Sequence, residues 1–324
     1  MNEKYLVIIR SVKEISVAYA VRNMMEMMGW RDVITADSHV FIKLNLSSIE
    51  DHTLQASNTD QQIIEALCNL LKSQTSRITL VESDGMRYTA EQAFEKSGTY
   101  QTAEKLGVHV LNLSKERQLF ALHPLLEDFG LPEILFAKNS VLITLPVLKT
   151  HALTVFSGAL KNQWGCIPRY DRILLHKNLD KLIPLVNALL KPTFAVMDGI
   201  WGMEGRGPTS GKPRYAGLLL ASRYPASLDA TAMRLIGLNP YESKHVVLAA
   251  EQGLGAISKS DIIVDGNFED YKMKFEPATL DWAVKLMNNL SRYKFFVYKI
   301  LLNKSIFIAS KKAVNVFRSK GIVR

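Results

Sequence analysis

The sequence predicts an α/β fold in which a mostly parallel, open sheet is flanked by helices. Short β-branched runs alternate with amphipathic helical segments through the first half of the chain, which is the pattern of βαβ units. The chain has 324 residues, of which 48% are hydrophobic and 22% are charged. That length and composition suit a globular protein with a large core.

The first half contains five predicted strands separated by predicted helices. Gly29 and Gly98 stop two of the helices, and Asn58 or Thr59 is the expected cap of a third. The predicted strands are 5–9, 40–46, 77–82, 108–113 and 141–145, and the predicted helices are 17–28, 59–72 and 90–96.

The pattern is less regular after Pro146, but no internal repeat or low-complexity linker interrupts it. We therefore expect residues 1–281 to form one α/β domain and residues 282–324 to form a basic, amphipathic and apolar helical tail. The predicted strands here are 194–197 and 216–221, and the predicted helices are 179–190, 226–236, 245–252 and the sequence from 279 onward.

The positive charge is concentrated in the tail. The whole chain has a net charge of +9, whereas residues 282–324 contain ten Lys or Arg and no acidic residue, which leaves the first 281 residues at −1. A nearly neutral body makes nucleic acid an unlikely partner, because a nucleic-acid-binding fold usually carries a basic face.

Composition also indicates a compartment. Cys68 and Cys166 lie far apart and form no metal-ligand spacing or disulfide framework, which fits a reducing environment. The apolar run near the N-terminus is too short for a signal peptide, and no uncharged stretch approaches the roughly 20 residues that span a bilayer. We expect a cytoplasmic protein, with a peripheral membrane location as an alternative because of the tail.

The first candidate site residues are Lys149, Thr150 and His151, which follow a predicted strand and Pro146. The proline favours extended backbone before it, so these residues are predicted to lie in a strand-exit loop, where ligands bind in open α/β sheets. A lysine beside a histidine can bind an anion or hold a general base near a positive charge. The alternative is a solvated loop that happens to be basic.

Lys161 and Asn162 follow Gly158 and form a second candidate group. A helix start near Gly158 would direct free N–H groups at an anion. The alternative is a glycine required by helix packing and a lysine that extends to solvent. His176 is a third candidate, but its spacing from His151 matches no metal motif, and a lone histidine is more often structural.

The segment from Asp198 to Gly211 holds five of the chain's 18 glycines and is predicted to be a loop. Such density suggests backbone with positive φ or backbone pressed against a ligand, and Gly199, Gly205 and Gly207 are the expected contacts. The spacing fits neither a P-loop nor a dinucleotide fingerprint.

Acidic residues could hold a divalent cation in the same region. Asp198 and Glu204 belong to the glycine-rich segment, and Asp229 lies near a predicted helix start. Structural alternatives are a turn capped by Asp198 and a helix dipole stabilised by Asp229. Lys43 and Asn45 follow the second strand at its C-terminal end and would reach the same crevice, as would residues 83–85 after the third strand.

Taken together, these motifs resemble the family called domain of unknown function 362. The family shares a Lys-Thr-His, a Gly-Ala-Leu-Lys-Asn, a later His, an Asp-Gly-Ile and a Gly-Pro-x-x-Gly. The matching residues here are 149–151, 158–162, 176, 198–200 and 207–211. Asp229 and the Gly-Leu-Gly of 253–255 also fit, and the resemblance spans about residues 35 to 256.

Three departures from the family pattern bear on function. The usual Lys-Pro-Asn is Lys43-Leu44-Asn45 here, and an acidic residue that often precedes the proline at position 225 is absent. Many relatives also carry a ferredoxin-like module whose cysteines bind iron–sulfur clusters. This chain lacks those cysteines, so we expect no iron–sulfur cluster.

Two functions fit these observations. The first is an enzyme that binds a small anionic ligand, phosphorylated or carboxylate, at the C-terminal ends of the strands, alone or together with a divalent cation. The expected catalytic residues are His151, His176 and Lys149; the expected ligand contacts are Lys43, Asn45, Lys161, Asn162, Gly199, Gly205 and Gly207; and the expected metal ligands are Asp198, Glu204 and Asp229. The second is a non-catalytic accessory protein that docks on a membrane surface or a protein partner through residues 282–324.

Overall fold

A computed structural model of the chain describes residues 5–207, 210–279 and 282–303. It contains one large mixed sheet with helices on both faces, so the predicted α/β class is confirmed.

The strands occur throughout the chain and most are short, and a small two-stranded sheet, β5–β6, lies apart from the main one. In chain order they are β1 Tyr5–Ser11, β2 His39–Lys43, β3 Ile78–Glu82, β4 His109–Asn112, β5 Gln118–Leu119, β6 Leu131–Pro132, β7 Ser140–Thr144, β8 Val147–His151, β9 Val155–Ser157, β10 Phe194–Glu204, β11 Lys212–Ser222 and β12 Ile262–Asp265.

In the described part of the chain, helices lie in five of the eleven connections between consecutive strands and also follow β12. They are α1 Val17–Met27, α2 Leu54–Ser57, α3 Gln61–Leu71, α4 Ala90–Ser97, α5 Thr99–Leu106, α6 Ala159–Asn162, α7 Leu179–Leu190, α8 Pro225–Leu235, α9 Lys244–Glu251, α10 Phe268–Tyr271, α11 Trp282–Leu290 and α12 Lys294–Phe296. Single 3-10 turns add Gln163–Cys166 and Arg172–Asn178, and a π-helical turn covers Val297–Leu301.

The main sheet has the strand order β12-β1-β11-β10-β7-β2-β3-β4, with β8 paired to β10 and β9 paired to β8. Along this order only β11 runs against its neighbours, so the strands from β10 to β4 form one parallel block. The C-terminal ends of β7, β2 and β3 therefore meet at one edge of the sheet, which is where the ligand site of such a fold is expected.

Both faces of the sheet are covered by helices, which explains why its strands are continuous apolar runs. In β1, Val7 and Ile9 belong to one buried cluster, whereas Ile8 points into the other. Helices α1, α3, α4 and α5 contribute to the cluster of Ile8, and α7, α8 and α9 contribute to the opposite cluster.

The predicted loop after Pro146 is wrong. Val147–His151 is a strand, β8, in which all five residues are buried, and it pairs with β10 beyond the point where β7 ends. At Pro146 the chain thus passes from β7 to β8, and both strands pair with β10. The lysine and histidine of this segment are consequently fixed by a sheet rather than exposed to solvent.

The predicted glycine-rich loop is also wrong for most of its length. Strand β10 continues from Phe194 through Glu204, and β11 begins at Lys212, so the two form a long hairpin with a bulge between Gly199 and Trp201. A Cβ at Gly202 would lie 2.8 Å from the Leu148 carbonyl oxygen. Close contact with β8 therefore accounts for a glycine there.

Asp198 ties this hairpin to the start of α3. Its carboxylate accepts hydrogen bonds from the backbone N–H groups of Asp60 (2.8 Å) and Ile200 (3.0 Å). Asp60, rather than Asn58 or Thr59, is the N-cap of α3, where its own side chain accepts from Gln62 N. Burial raises the pKa of Asp198 to about 7.

Asp229 anchors α6 in a similar way. It lies within α8, is fully buried, and accepts hydrogen bonds from the N–H groups of Ala159 (2.7 Å) and Leu160 (3.0 Å). Gly158 makes this approach possible, because a Cβ there would lie 2.2 Å from Asp229 Oδ1. The Gly-Ala of this motif is thus required by a buried carboxylate that caps a short helix.

The C-terminal segment packs on the body as far as the structure describes it. Val297 and Leu301 are buried in the same cluster as α7 and α8, and Tyr298 donates a hydrogen bond to Asp171. The predicted tail beyond residue 303 lies outside the described residues. No helix within the described ranges has both the length and the apolar character needed to cross a bilayer.

Replacing Gly158 should destabilise the protein by displacing Asp229 from its two backbone donors. Forcing an extra methyl into a packed site costs about 1–3 kcal/mol or more, so Gly158→Ala should lower the free energy of unfolding measured in urea by at least that amount. Gly85→Ala is the matched control, because its Cβ would meet nothing closer than 3.4 Å. Equal unfolding free energies for the two variants would contradict this account.

Candidate functional site

A cavity of about 220 Å³ lies at the C-terminal ends of β2 and β3. Its walls come from the ends of these strands, from β8 and β9, and from the segment that contains α6 and the two 3-10 turns. We call it the cationic cavity, and seven of the residues predicted from the sequence line it: Lys43, Asn45, Ser83, Gly85, Lys149, Lys161 and Asn162.

Lys43 forms a buried ion pair at one side of the cationic cavity. Its Nζ lies 2.7 Å from Glu82 Oε1, and both side chains are almost inaccessible to solvent. Glu82 also accepts from the backbone N–H groups of Leu46 and Ser83. The positive charge of Lys43 is therefore balanced within the protein, and the pair joins the ends of β2 and β3.

Lys149 is held by uncharged acceptors. Its Nζ donates to Asn45 Oδ1 (2.5 Å), Ser47 Oγ (2.7 Å) and the Ser57 carbonyl oxygen (2.9 Å), and the residue is 0% exposed. Burial lowers the pKa of Lys149 to about 7, and the charge of Lys161 lowers it further. This ammonium group has good hydrogen-bond geometry but no carboxylate in direct contact among the residues described.

Lys161 faces the cavity without a partner. Within residues 5–207, 210–279 and 282–303, its amine makes no hydrogen bond or ion pair. Burial lowers its pKa to about 8, with a second contribution from the charge of Arg172. Lys161 is half-buried, so its unpaired amine is accessible from the cavity and available to a ligand there.

Arg172 supplies another positive charge whose contacts are neutral. Its Nη1 donates to Ser83 Oγ (3.2 Å) and to the carbonyl oxygens of Asp84 (2.8 Å) and Ile167 (3.0 Å). A guanidinium remains charged at any physiological pH. Arg172 was not predicted as a site residue.

Asn162 connects the strand ends that form the site. Its Nδ2 donates to the Lys43 carbonyl oxygen (3.2 Å) and to Thr144 Oγ1 (2.8 Å), and its Oδ1 accepts from Asn45 Nδ2 (2.9 Å). A side-chain amide has two donor and two acceptor positions. Both donors and one acceptor of Asn162 are thus used by the described residues. The predicted ligand contact Asn162 therefore joins β2 to β7 while it lines the cavity.

Gly165 allows the backbone to approach the Lys43–Glu82 pair. A Cβ at this position would lie 2.8 Å from Lys43 Nζ and 3.0 Å from Glu82 Oε1. Its carbonyl oxygen accepts a hydrogen bond from Ser83 Oγ. Any larger residue would displace either the ion pair or the cavity wall.

The two predicted catalytic histidines lie near Lys161, although neither lines the cationic cavity. His151 Nδ1 accepts from the N–H groups of Leu153 (3.1 Å) and Thr154 (3.2 Å), so its neutral ring carries the proton on Nε2. Burial and the charge of Lys161 hold the pKa of His151 well below its usual range. In this environment the ring is suited to donating a hydrogen bond rather than to accepting a proton.

His176 lies in the 3-10 turn Arg172–Asn178, with its ring centroid 5.7 Å from that of Trp164 in the cavity wall. Burial lowers the pKa of His176 to about 3, with Lys161 as the next cause. The charge of His176 also contributes to lowering the pKa of His151. The structure thus brings the two histidines into one electrostatic environment centred on Lys161.

The predicted metal ligands lie apart from the cavity and bond to separate backbone segments. Asp198 and Asp229 each accept two N–H bonds, as described above, and Glu204 accepts from Glu276 N (3.1 Å). Among the described residues, no three His, Cys, Asp or Glu side chains are grouped to hold a metal ion. The two cysteines, Cys68 and Cys166, are buried free thiols.

The predicted glycine contacts also lie outside the cavity wall. A Cβ at Gly199 would meet the Leu218 carbonyl oxygen at 2.9 Å, and one at Gly207 would meet the Thr150 carbonyl oxygen at 2.0 Å. Gly205 has φ of 74°, in the left-handed region. Packing and turn geometry account for all three glycines without a ligand.

A second cavity, of about 280 Å³, lies beside the start of α3. Among the described residues, Lys96 is the only lysine or arginine that lines it, and it pairs with Asp51 at 3.2 Å on an exposed surface. This cavity contains none of the predicted site residues. The cationic cavity is therefore the better candidate, although it is smaller.

Sequence reasoning missed Glu82 and Arg172. Glu82 is the last residue of the third predicted strand, so the rule that identified Lys43 and Asn45 would also have found it. Arg172 lies on an irregular 3-10 segment that has no periodic signal. The remaining polar or aromatic residues of the wall that were not predicted are Ser47, Tyr88, Ser157 and Trp164.

Comparison with known proteins places this site in a wider group. A crystal structure of a Thermotoga maritima protein is similar with a TM-score of 0.36 and 12% identity, covering 72% of this chain and 58% of that one, which is too distant to support any argument. A thylakoid-associated protein of Synechocystis sp. is 33% identical over 123 residues, which are 36% of this chain and 37% of the relative.

The match to that relative covers well under half of its length, so its printed description applies to it alone. The family evidence is broader, because the family described as "Domain of unknown function (DUF362)" matches residues 40–234. This range includes every residue of the cationic cavity and more than half of the chain. The chain therefore belongs to the DUF362 family.

Proposed function

We propose that the cationic cavity binds a small anionic substrate, with a phosphate or a carboxylate as the recognised group, and that the protein is an enzyme acting on it. The observation that supports this most directly is the charge of the wall. Lys43, Lys149, Lys161 and Arg172 all line the cavity, whereas Glu82 is its one carboxylate among the described residues. Since Glu82 pairs with Lys43, three cations are left without a carboxylate in direct contact.

Burying an uncompensated positive charge is unfavourable, and proteins usually balance it with a partner; Lys149 is fully buried, and Lys161 and Arg172 are half-buried. Lys149 and Arg172 bond only to neutral oxygens, and Lys161 bonds to none in the described structure. An anion in the cavity would supply the missing negative charge. This gives the ligand its class without reference to any relative.

Size and position support the same proposal. Pockets for drug-sized ligands measure about 300–1,000 Å³, so a cavity of about 220 Å³ suits a smaller molecule. It lies at the C-terminal ends of parallel strands, where open α/β sheets bind their ligands. Ser47 and Ser157 in the wall could add hydroxyl donors to the anion.

Removing the charge of Lys161 should weaken anion binding. A hydrogen bond to a charged group contributes about 1.5–3 kcal/mol, so Lys161→Met should raise the sulfate dissociation constant about 10- to 100-fold in isothermal titration calorimetry. Lys138→Met is the matched control, because Lys138 is an exposed lysine outside the cavity, and it should bind sulfate like the unaltered protein. Absence of sulfate binding by the unaltered protein would refute the proposal.

Sulfate affinity should fall as the pH rises from about 7 to 9. The pKa values of Lys149 and Lys161 are lowered to about 7 and about 8, so both amines lose their protons in this range in the unliganded protein. Because sulfate stays a dianion throughout, a change in affinity reports the titration of protein groups and not of the ligand. Sulfate favours the charged amines and raises their pKa, so binding should take up protons. Calorimetry in buffers of different ionisation enthalpy measures that uptake, and a pH-independent affinity without uptake would contradict the assignment.

A second candidate function is docking on an anionic membrane surface through the C-terminal segment. The aromatic side chains of Tyr293 and Phe295 are 64% and 74% exposed, and the exposed Arg292, Lys294 and Lys299 lie beside them. Exposed aromatic rings interleaved with basic residues suit the interface of an anionic bilayer. The thylakoid-associated relative from Synechocystis supports this proposal by its description.

Phe295→Ser should reduce binding to anionic vesicles if this segment docks on lipid. Transfer of a phenylalanine side chain out of water contributes about 1.5–3 kcal/mol, so sedimentation with phosphatidylserine-containing vesicles should fall about tenfold or more. Phe120→Ser is the control, because Phe120 is 58% exposed on a different part of the surface. Equal sedimentation of both variants, or no sedimentation of the unaltered protein, would exclude this docking mode.

A further inference from the structure

The amine of Lys161 differs from the other two lysines of the cationic cavity. Lys43 is fixed by its ion pair with Glu82, and Lys149 is fully buried with three acceptors around its nitrogen. Both nitrogens are therefore occupied. Lys161 lines the cavity and makes no hydrogen bond or ion pair within the described ranges, so its nitrogen is available to a molecule in the cavity.

Arg172, which lines the same cavity, opposes the positive charge of Lys161. Lys149 lines the cavity as well, and the charge of Lys161 lowers the pKa values of Lys149, His151, His176 and His245. No carboxylate is among the causes that set the pKa of Lys161, which burial and Arg172 lower to about 8. A lysine that is desolvated beside another cation is a known form of activated amine nucleophile.

We propose that Lys161 is a covalent nucleophile that forms an imine with a small aldehyde or ketone bearing a carboxylate or phosphate group. The inference rests on the proposed function, because the remaining cations of the cavity would hold the anionic group while the amine meets the carbonyl carbon. It adds the substrate class and the attacking atom to that function.

The step balances without an oxidant or a reductant. The lone pair of the neutral Lys161 amine attacks the carbonyl carbon, a C–N bond forms, and the carbonyl oxygen takes up a proton to give a carbinolamine. The C–O bond then breaks, the oxygen leaves as water after a second protonation, and the nitrogen loses its remaining protons to solvent as the C=N bond is completed. One water is released for each imine formed.

Reductive trapping on the full chain tests this directly. The protein is incubated at pH 7.5 with glyoxylate or with glycolaldehyde phosphate in the presence of cyanoborohydride, and the adduct is located by intact and peptide mass spectrometry. Because an ordinary exposed lysine has a pKa of about 10.4, Lys161 should be labelled at least about tenfold faster than the exposed Lys138. The two probes separate a carboxylate-bearing substrate from a phosphate-bearing one.

The controls separate reactivity from anion recognition. Lys161→Arg should remove the single fast adduct seen in the intact mass, whereas Lys138→Arg should retain it. Propionaldehyde, which is of similar size but uncharged, should label Lys161 more slowly than glyoxylate does, and excess sulfate should protect Lys161 from glyoxylate.

The outcomes distinguish this inference from the function on which it rests. If sulfate binds but Lys161 is labelled no faster than Lys138, the imine proposal is wrong and anion binding stands. If propionaldehyde labels Lys161 as fast as glyoxylate does, recognition of a carbonyl-bearing anion is wrong. If sulfate fails to bind, the proposed function is wrong as well.

Discussion

The amide of Asn162 is the contact on which the arrangement of the cationic cavity depends. It bonds to the end of β2 through the Lys43 carbonyl oxygen, to the end of β7 through Thr144 Oγ1, and to the side chain of Asn45. Asn45 in turn accepts a hydrogen bond from Lys149. Because this network consists of neutral amides and hydroxyls, it fixes Lys149 in place without cancelling its charge. A carboxylate at either position would break this network, because it cannot donate the hydrogen bonds that the Asn45 and Asn162 amides supply, and its charge would offset that of Lys149.

The fold was largely predictable because its information is local. The alternation of apolar runs and amphipathic helices gave the α/β class, and strand ends located Lys43, Asn45 and Lys149. The position of β8 was not predictable in the same way, since Lys149, Thr150 and His151 are polar residues in a buried strand and their burial depends on partners distant in sequence. Hydrophobicity alone does not identify a strand whose polar residues are buried because they make polar contacts.

The glycine-rich segment shows that one sequence pattern has two physical causes. Dense glycines predict backbone pressed against a ligand, and those at positions 199, 202 and 207 lie close to backbone oxygens of β11 and β8. Close approach between two backbones requires a missing Cβ as much as a ligand does. Similarly, the missing Cβ of Gly158 leaves room for the carboxylate of Asp229, and that of Gly165 leaves room for the Lys43–Glu82 ion pair. The sequence shows that a Cβ is excluded at such positions, whereas only the tertiary structure shows which atom excludes it.

The two roles proposed for the cavity place opposite demands on Lys161. Holding an anion favours its protonated form, whereas attacking a carbonyl carbon needs the neutral amine. Under the proposal, two kinds of cationic group in the wall divide these roles. Arg172 keeps its charge at any physiological pH and can hold an anion permanently, whereas burial and Arg172 itself lower the pKa of Lys161 to about 8. If Arg172 binds the anionic group of the substrate, the amine of Lys161 does not have to bind that group and can be neutral. The absence of a carboxylate bonded to Lys161 among the described residues serves the same end, because such a partner would keep the amine protonated.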